Sequence, residues 1–396
     1  MIAFVLPTRD RPSDLARTLA GIDALGLGPD DAEVIVVDNA SRVTPEVPSL
    51  LSRGVRVTLL DRPTNEGAAA RNHAVQAADA SRRWVVMLDD DSHPLPDRTP
   101  TAGPKFPGFP QRLEAQPDDV FAVMADIHLG EAKDGASKRE RGGLPEVFVG
   151  CGVAIRRDAF ERAGGYDPSF GFYAEEYDLA AKLISDGGRI EFDPNWRVVH
   201  HKSDSGRDMN LIVERLVRNT AWVMQRYAPE CDREAEIARV VERCEFIAGK
   251  EDAAAGFERG MAEMTRTIGA QERRPMDREC WDRFTGRAAV HEALAFAFAG
   301  EAPAEVSVML EGKNAFVIAD ALRERGVEVH RGVARPGVPM VLGTMSPGPM
   351  VDGLELFEPL GRRVVAPWRR ADEVVRAGRA IDRSRDDRRP AELLGV

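Results

Sequence analysis

Short apolar runs alternate with amphipathic stretches over the first hundred residues, and this alternation limits the folds open to the chain. Buried strands are predicted at residues 2–6, 33–37, 55–60 and 84–88. After the first run, Leu15, Leu19 and Ile22 recur at helical spacing, and an Ala-rich helix is predicted at 67–78. Alternating strands and helices predict an α/β fold with a mostly parallel sheet covered on both faces.

Polar residues directly follow three of these predicted strands. They form the clusters Pro7-Thr8-Arg9, Asp38-Asn39 and Asp89-Asp90-Asp91. The carboxyl ends of parallel strands meet at one edge of a sheet, and α/β sheets bind their ligands there. We therefore expect the three clusters to lie together.

Charge and hydropathy argue against several classes of protein. Lys plus Arg number 54 and Asp plus Glu 65, so the net charge of −11 does not suit a nucleic-acid partner held by bulk charge. No apolar stretch approaches the ~18 residues of a transmembrane segment, and the apolar start lacks the basic region of a secretory signal. The four cysteines form no CxxC pair, so we expect neither disulfides nor structural zinc, and a cytoplasmic location.

Three domains are expected. Residues 1–205 hold the strand–helix alternation, and 206–300 are helical in pattern. Residues 301–396 alternate again, which predicts a small Rossmann-like α/β domain with a frayed, Arg/Asp-rich tail.

Smaller features add detail to these domains. Residues 94–116 are rich in Pro and Gly and are predicted to form a loop, and strands are predicted at 120–127 and 146–155. Gly312-Lys313-Asn314 lies between a predicted strand and helix, which suits an anion site or a plain connection. The chain has no GxGxxG and no GxxxxGK(S/T), so neither a dinucleotide site nor a P-loop is supported.

The acidic triplet Asp89-Asp90-Asp91 is costly at a strand end, because neighbouring carboxylates repel and raise one another's pKa. A divalent cation removes that conflict, and Mg²⁺ and Mn²⁺ suit oxygen ligands. An isolated acidic triplet is more often a solvated turn. Its place after a buried strand favours a metal and diphosphate site instead.

Four further features each allow two interpretations. Asp38-Asn39 suits a nucleobase or ribose, or an Asx turn. Arg71, in the helix after Asn65-Glu66-Gly67, suits a phosphate or base, or plain solvent. Glu175-Glu176 begins an amphipathic helix. The helix dipole favours acidic residues in a first turn, so the pair is either an ordinary helix start or a source of a carboxylate base. His200-His201 follows a strand and suits a metal or phosphate, or a structural role.

In this order and spacing, the segments resemble family 2 glycosyltransferases of the GT-A fold, of the bacterial type. The matching segments are VLPTRDRP (5–12), VVDNAS (36–41), NEG (65–67), ARN (70–72), LDDDS (88–92), GCG (150–152), RRDAF (156–160), GGYD (164–167) and EEYDL (175–179). Each is weak alone, whereas the ordered set is strong. It covers roughly residues 1–205, and the helices to about residue 300 resemble a tail found in bacterial members.

The resemblance carries functional roles onto matching positions. Glu176 falls at the catalytic carboxylate, where Asp is frequent in the family, and Glu175 competes for that role. Asp91 is the first choice for direct metal contact. The resemblance places the donor on Pro7, Thr8, Arg9, Asp38, Asn65, Arg71, Asp89 and Asp90, the metal on Asp91, Asp89, His200 or His201, and the acceptor near Gly150, Cys151, Gly152 and Tyr166.

The same resemblance implies the reaction and its partners. The donor would be a UDP-, GDP- or dTDP-sugar, and a hexose would move with inversion to a hydroxyl on a glycan, lipid-linked or small-molecule acceptor. The cofactor would be Mn²⁺ or Mg²⁺, and the product would belong to a cell envelope polysaccharide. A site at the inner face of the membrane and a homodimer through the helical or C-terminal region are further expectations.

Two other functions stay open on the sequence alone. A nucleotidyltransferase shares nucleotide–metal chemistry, releases pyrophosphate and has no need of Glu176. A non-catalytic nucleotide-sugar-binding module would keep the fold without turnover.

Overall fold

An eight-stranded sheet organises the larger of the two units into which the chain divides. The computed structural model describes residues 1–96, 108–130, 138–202, 208–300, 302–361 and 363–375. As far as they are described, residues 1–137 and 146–284 form the larger unit. Residues 138–145 and 285–396 form the smaller one.

Strands and helices alternate through the larger unit, as the apolar periodicity predicts. The strands are β1 (Ile2–Thr8), β2 (Ala32–Asn39), β3 (Val57–Arg62), β4 (Trp84–Met87), β5 (Ser92–Pro94), β6 (Val120–Leu129), β7 (Val153–Arg156) and β8 (Arg189–His200). The helices are α1 (Pro12–Asp23), α2 (Ala70–Ala77), α3 (Phe109–Glu114), α4 (Arg157–Arg162), α5 (Glu175–Ser185), α6 (Met209–Tyr227), α7 (Arg233–Lys250), α8 (Ala254–Thr267) and α9 (Arg278–Thr285). Strands β1, β2 and β4 are buried along their whole length, as expected for a sheet covered on both faces.

The strand order is β3-β2-β1-β4-β7-β6-β8-β5. The first four strands are parallel, β7 runs antiparallel to its neighbours, β6 and β8 are parallel, and β5 is antiparallel to β8. Thr8 pairs with Asp38 and Val5 with Met87, so β1, β2 and β4 end on the same side. We call this side, formed by residues 7–9, 38–39 and 88–91, the carboxyl edge. The mostly parallel α/β sheet predicted from the sequence is confirmed.

Two local predictions in this unit are wrong. The segment 94–116, predicted as loop, contains the short helix α3, where Pro110 in the first turn leaves no helical hydrogen bond unmade; residues 97–107 lie outside the described chain. The strand predicted at 146–155 is limited to β7, because the chain turns first, with the Gly152 amide donating to the Val149 carbonyl at 3.3 Å.

The smaller unit is built on a four-stranded parallel sheet, in the order β10-β9-β11-β12, which confirms the second α/β unit. Its elements are α10 (Arg287–Ala297), β9 (Glu305–Met309), α11 (Ala315–Arg323), β10 (Glu328–Arg331), β11 (Met340–Leu342), α12 (Pro347–Phe357) and β12 (Val364–Val365). The short segment 138–145 belongs here, since buried Arg139 pairs with Asp352 at 2.9 Å and with Glu355 at 2.8 Å on α12. The domain limits at residues 205 and 300 stay predictions.

Over the described ranges, no helix combines the length and the apolar character needed to cross a membrane. All four cysteines are free thiols. The cytoplasmic location and the homodimer stay predictions.

Candidate active site

The β2 end of the carboxyl edge presents a buried carboxylate. Asp38 is 1% exposed, and its Oδ1 accepts the Ser41 amide at 3.1 Å in an Asx turn. Its Oδ2 has no hydrogen-bond partner among the described residues. The Asx turn predicted for Asp38 is therefore present, and its role in binding a nucleobase or ribose stays a prediction.

Asn39 ties the β2 end to the next polar loop. Its Nδ2 donates to the Gly67 carbonyl at 3.0 Å, and its Oδ1 accepts the Glu66 amide at 2.7 Å. Asn65 closes the same loop by accepting the Gly67 amide at 3.0 Å. The structure thus gives Asn65 a role in shaping the turn that leads into α2.

Gly67 is the point at which this loop meets another. It has φ +62°, and a Cβ there would lie 2.3 Å from the Gly171 carbonyl oxygen, so only glycine fits. The Ala68 amide donates to the same oxygen at 2.8 Å. The loop after β3 and the loop before α5 are therefore in direct backbone contact.

The three acidic residues after β4 have three different environments. The side chain of Asp89 is 39% exposed and pairs with Arg71, which is buried and also donates to the Leu88 carbonyl at 3.1 Å. Asp90 is buried and accepts the Thr8 hydroxyl at 2.9 Å. Asp91 is also buried, with Arg11 at 3.7 Å.

Asp90 belongs to the interior of the fold. Arg11 lies 3.4 Å from its carboxylate, and Thr18 donates to its carbonyl at 2.8 Å. Burial raises the pKa of Asp90 to about 6, although Arg11 and the Thr8 hydroxyl act in the opposite direction. Asp90 and Thr8 thus connect β1 to β4. Arg9, next to them, is exposed.

Strand β5 carries the acidic segment to the end of β8, because Ser92 pairs with His200. The His200 Nε2 then lies 3.4 Å from an Asp91 carboxylate oxygen. Neighbouring side chains in a strand point to opposite faces, and His201 stacks against His93 at 5.2 Å between ring centroids. The two predicted histidines are therefore separated, with His200 next to the acidic residues.

One group of side chains in the described residues has the composition of a metal site. Ligand atoms of Asp89, Cys151 and His200 all lie within 4.8 Å of one another. Cys151 is buried in the turn before β7, and its Sγ is 3.5 Å from the His200 Nδ1. The structure brings together two of the predicted metal ligands, Asp89 and His200, and adds a thiol that had been predicted near the acceptor.

The buried side chains of Arg71 and Tyr166 pack against each other beside Asp89. The guanidinium carbon lies 5.9 Å from the Tyr166 ring centroid. Asn72 holds the Tyr166 backbone by donating to its carbonyl at 2.8 Å and accepting its amide at 3.0 Å. The Arg71 Nε and Tyr166 Oη are buried and have no hydrogen-bond partner among the described residues.

Two adjacent carboxylates stand at the first turn of α5. Glu175 is buried, and its Oε2 has no partner among the described residues. Glu176 is partly buried, and a Cβ on Gly150 would lie 3.4 Å from its Oε1, so glycine leaves room around that oxygen. Burial raises the pKa of both groups, and the charge of Glu176 raises that of Glu175 further. Because the two carboxyls are adjacent, ionisation of one makes ionisation of the other harder.

The backbone before α5 is strained and is held by a buried amide. Tyr173 and Ala174 have φ of +74° and +65°, which is costly for residues other than glycine. From α6, fully buried Asn219 donates through Nδ2 to the carbonyls of Phe170 at 3.0 Å, Phe172 at 3.0 Å and Tyr173 at 2.7 Å. This contact fixes the loop from which Glu175 and Glu176 project.

A second contact with α6 holds the same helix turn. Asp178 is fully buried and accepts the Arg226 guanidinium and the Tyr227 hydroxyl, each at 2.8 Å. Arg226 also donates to Asp167 at 2.8 Å. The charge at the start of α5 is thus neutralised from α6.

Several residues of the site were missed by sequence reasoning. Arg11 and Asn72 lie inside the motifs that carried the resemblance, so their position was the available signal. Asn219 and Arg226 lie on α6, outside those motifs, and nothing in their local sequence marks them.

The first part of the chain matches a known protein family. Residues 3–106 match the family described as Glycosyl transferase family 2. Residues 3–106 are therefore similar to family 2 glycosyltransferases. The matched segment includes the carboxyl edge and the loop before α2.

Two of the similar proteins come from bacteria. The chain is 26% identical over 223 residues to the pre-mycofactocin glycosyltransferase of Mycobacterium tuberculosis, covering 52% of this chain and 44% of that protein. It is 27% identical over 240 residues to the O-antigen biosynthesis protein RfbC of Myxococcus xanthus, covering 52% and 18%. The chain therefore spans less than half the length of either relative.

One solved structure aligns with a larger share of the chain. The mannosyltransferase PcManGT of Pyrobaculum calidifontis, in complex with GDP-Man and Mn²⁺, has 18% sequence identity and a TM-score of 0.43, covering 74% of this chain and 80% of that one.

Proposed function

We propose that this chain transfers a sugar from a nucleoside-diphosphate donor to an acceptor hydroxyl, with inversion. The observation that supports this proposal most is that buried polar groups from several motifs lie in one site. The orphaned oxygen of Asp38, the Arg71–Asp89 pair and the carboxylates of α5 come from separate motifs, and each carries a buried polar group suited to one part of such a donor.

The donor's parts find chemically matched groups. Asp38 Oδ2 is an acceptor for a base N–H or a ribose hydroxyl. The Arg71 guanidinium suits a diphosphate oxygen, since planar Arg forks bind phosphates well. Because Arg71 is already buried and paired with Asp89, its position costs little entropy when the donor binds.

A divalent cation fits the residues beside Asp89. The carboxylate of Asp89 and the imidazole of His200 are ligands that Mn²⁺ accepts, whereas Mg²⁺ prefers a shell of oxygen atoms only. When bound, the ion supplies positive charge against the leaving diphosphate. We favour Mn²⁺ over Mg²⁺ on this ligand chemistry.

Glu176 acts as the base in the proposed reaction. Its carboxylate takes the proton from the acceptor hydroxyl as that oxygen attacks the anomeric carbon on the face opposite the diphosphate. The bond to the diphosphate breaks in the same displacement, which inverts the anomeric centre. Burial and the charge of Glu176 raise the pKa of Glu175 well above the ordinary carboxyl range, which favours its protonated form and leaves Glu176 as the proposed base.

The test is a transfer assay with UDP-, GDP- and dTDP-sugars, Mn²⁺ and a panel of glycan, lipid-linked and small hydroxyl acceptors. We expect release of nucleoside diphosphate that depends on acceptor, and an inverted glycosidic product. Pyrophosphate release from a nucleoside triphosphate would indicate a nucleotidyltransferase instead. Donor binding without turnover under any metal would indicate a binding module.

A further inference from the structure

The donor group near Asp89 differs from an ordinary hard-metal site because one member is a thiol. Its three side chains come from separate places: Asp89 follows β4, Cys151 precedes β7, and His200 ends β8. Cys151 is 1% exposed, so its Sγ is held within the protein and directed at the histidine. This placement depends on strand pairing across the sheet.

The spacing of two of these atoms suits a shared ion. With metal–sulfur and metal–nitrogen bonds of about 2.3 Å and 2.1 Å, two ligands of one tetrahedral ion lie about 3.6 Å apart. The Cys151 Sγ and His200 Nδ1 are 3.5 Å apart. The two side chains can therefore hold one ion with little movement.

The other ring nitrogen of His200 faces a carboxylate. The Asp91 carboxylate lies 3.4 Å from Nε2 and is itself 3.7 Å from Arg11. Metal-bound histidines usually donate their second N–H to such an outer carboxylate, which fixes the tautomer and orientation of the ring. Asp91 is thereby placed to orient His200 so that its Nδ1 faces the Cys151 Sγ.

We propose that Cys151 is a third ligand of the proposed cation beside Asp89 and His200 Nδ1, with Asp91 as an outer positioning residue, so that the site also binds Co²⁺ and Zn²⁺. The inference rests on the proposed function in that it concerns the cation site of the same domain. Cys151 loses its proton to solvent when it binds the ion, and the thiolate favours softer metals over Mg²⁺. Asp89, the more exposed ligand, leaves the ion open toward the donor.

The direct test is titration of the metal-free full chain with Co²⁺, followed by its absorption spectrum. Wild type should develop a thiolate-to-cobalt charge-transfer band, and Zn²⁺ should displace it. Cys151→Ser should lose the band. The matched control is Cys244→Ser, which removes another buried thiol, on α7, and should keep the band.

Asp91→Asn separates an outer role from direct ligation. It should keep the charge-transfer band and weaken Co²⁺ binding roughly 10–100-fold, the usual cost of losing an outer partner. Circular dichroism and the thermal midpoint show whether each variant folds. If Cys151→Ser does not fold, the wild-type spectrum and its displacement by Zn²⁺ still decide the question.

The outcomes distinguish this inference from the proposed function. Cobalt binding without a charge-transfer band overturns the thiolate ligand, even if Mn²⁺-dependent transfer is intact. A thiolate band without any sugar transfer supports the site and counts against the proposed reaction. A band that persists in Cys151→Ser also overturns the inference.

Discussion

The two parallel sheets of this chain differ most at the edges where their strands end. At the carboxyl edge of the larger sheet, Asp38, Arg71 and Glu175 are buried with polar atoms left unpaired. Every buried side-chain polar atom without a hydrogen-bond partner among the described residues belongs to the larger unit. The two sheets therefore differ in how far the polar groups near their strand ends are paired within the protein.

The corresponding edge of the smaller sheet satisfies its own polar groups. Ser346, which follows β11 and precedes α12, donates to the Arg141 carbonyl at 3.0 Å, and its amide donates to the Thr344 hydroxyl at 3.2 Å. Glu311, after β9, pairs with Arg331 at 2.9 Å. These contacts favour the interpretation of Gly312-Lys313-Asn314 as a connection.

The largest loss of sugar transfer is expected from a substitution in the first turn of α5. Glu176→Gln should lower transfer roughly 10²-fold or more, the scale of a lost acid–base group, while donor binding persists. Glu175→Gln is the matched control, because it copies the protonated acid and should retain most activity. Initial rates with saturating donor measure both variants. A larger loss in Glu175→Gln would assign the base to Glu175.

The pH profile sharpens the same contrast between the two glutamates. Burial raises the pKa of Glu176, so its base form accumulates only above the ordinary carboxyl range. Transfer should rise with pH, and below that pKa it should fall roughly tenfold per pH unit. The acid limb of kcat/KM measures this. An acid limb at the ordinary Glu pKa would contradict the assignment.

Asn219→Asp should have a smaller effect, since it keeps the shape of the side chain and removes the donors to three carbonyls. The loss should reduce the free energy of unfolding by about 1–3 kcal/mol and lower kcat more than it raises KM for the donor. Denaturant unfolding measures the free energy of unfolding, and steady-state kinetics measures kcat and KM. Asn210→Asp, on the same helix, is the comparison for a general effect on α6.

The smallest change in sugar transfer is expected from a substitution at the strand ends of the smaller sheet. Lys313→Met should change transfer and donor binding by no more than about twofold, the scale of a surface substitution. Titration of nucleoside diphosphates by calorimetry checks this. A loss of donor binding would show that the Gly312-Lys313-Asn314 turn takes part, and the contrast between the two edges would fail.

Local patterns in the sequence were enough to predict the sheet and its carboxyl edge. The apolar runs marked β1, β2 and β4, and the polar residues after them identified the edge. The different partners of Asp89, Asp90 and Asp91 were not predictable from the sequence. They are Arg11, Arg71 and His200, which come from other elements of the fold. Spacing along the chain does not encode which partner each carboxylate meets.

The contact between Cys151 and His200 shows the same limit. The two residues are 49 positions apart, and their meeting requires β6, β7 and β8 to pair in register. Sequence reasoning placed Cys151 with the acceptor and His200 with the metal. Only the folded sheet shows that they are neighbours.

The hydrogen bonds from α6 to the loop before α5 limit which segments could be exchanged between similar proteins. Asn219 and Arg226 lie beyond the last motif of the glycosyltransferase pattern, yet they hold the turn that carries Glu176. A graft that exchanged only residues 1–205 between relatives would separate Glu176, the proposed base, from its support. Recombination that preserves the proposed activity must therefore inherit the sheet and α6 together.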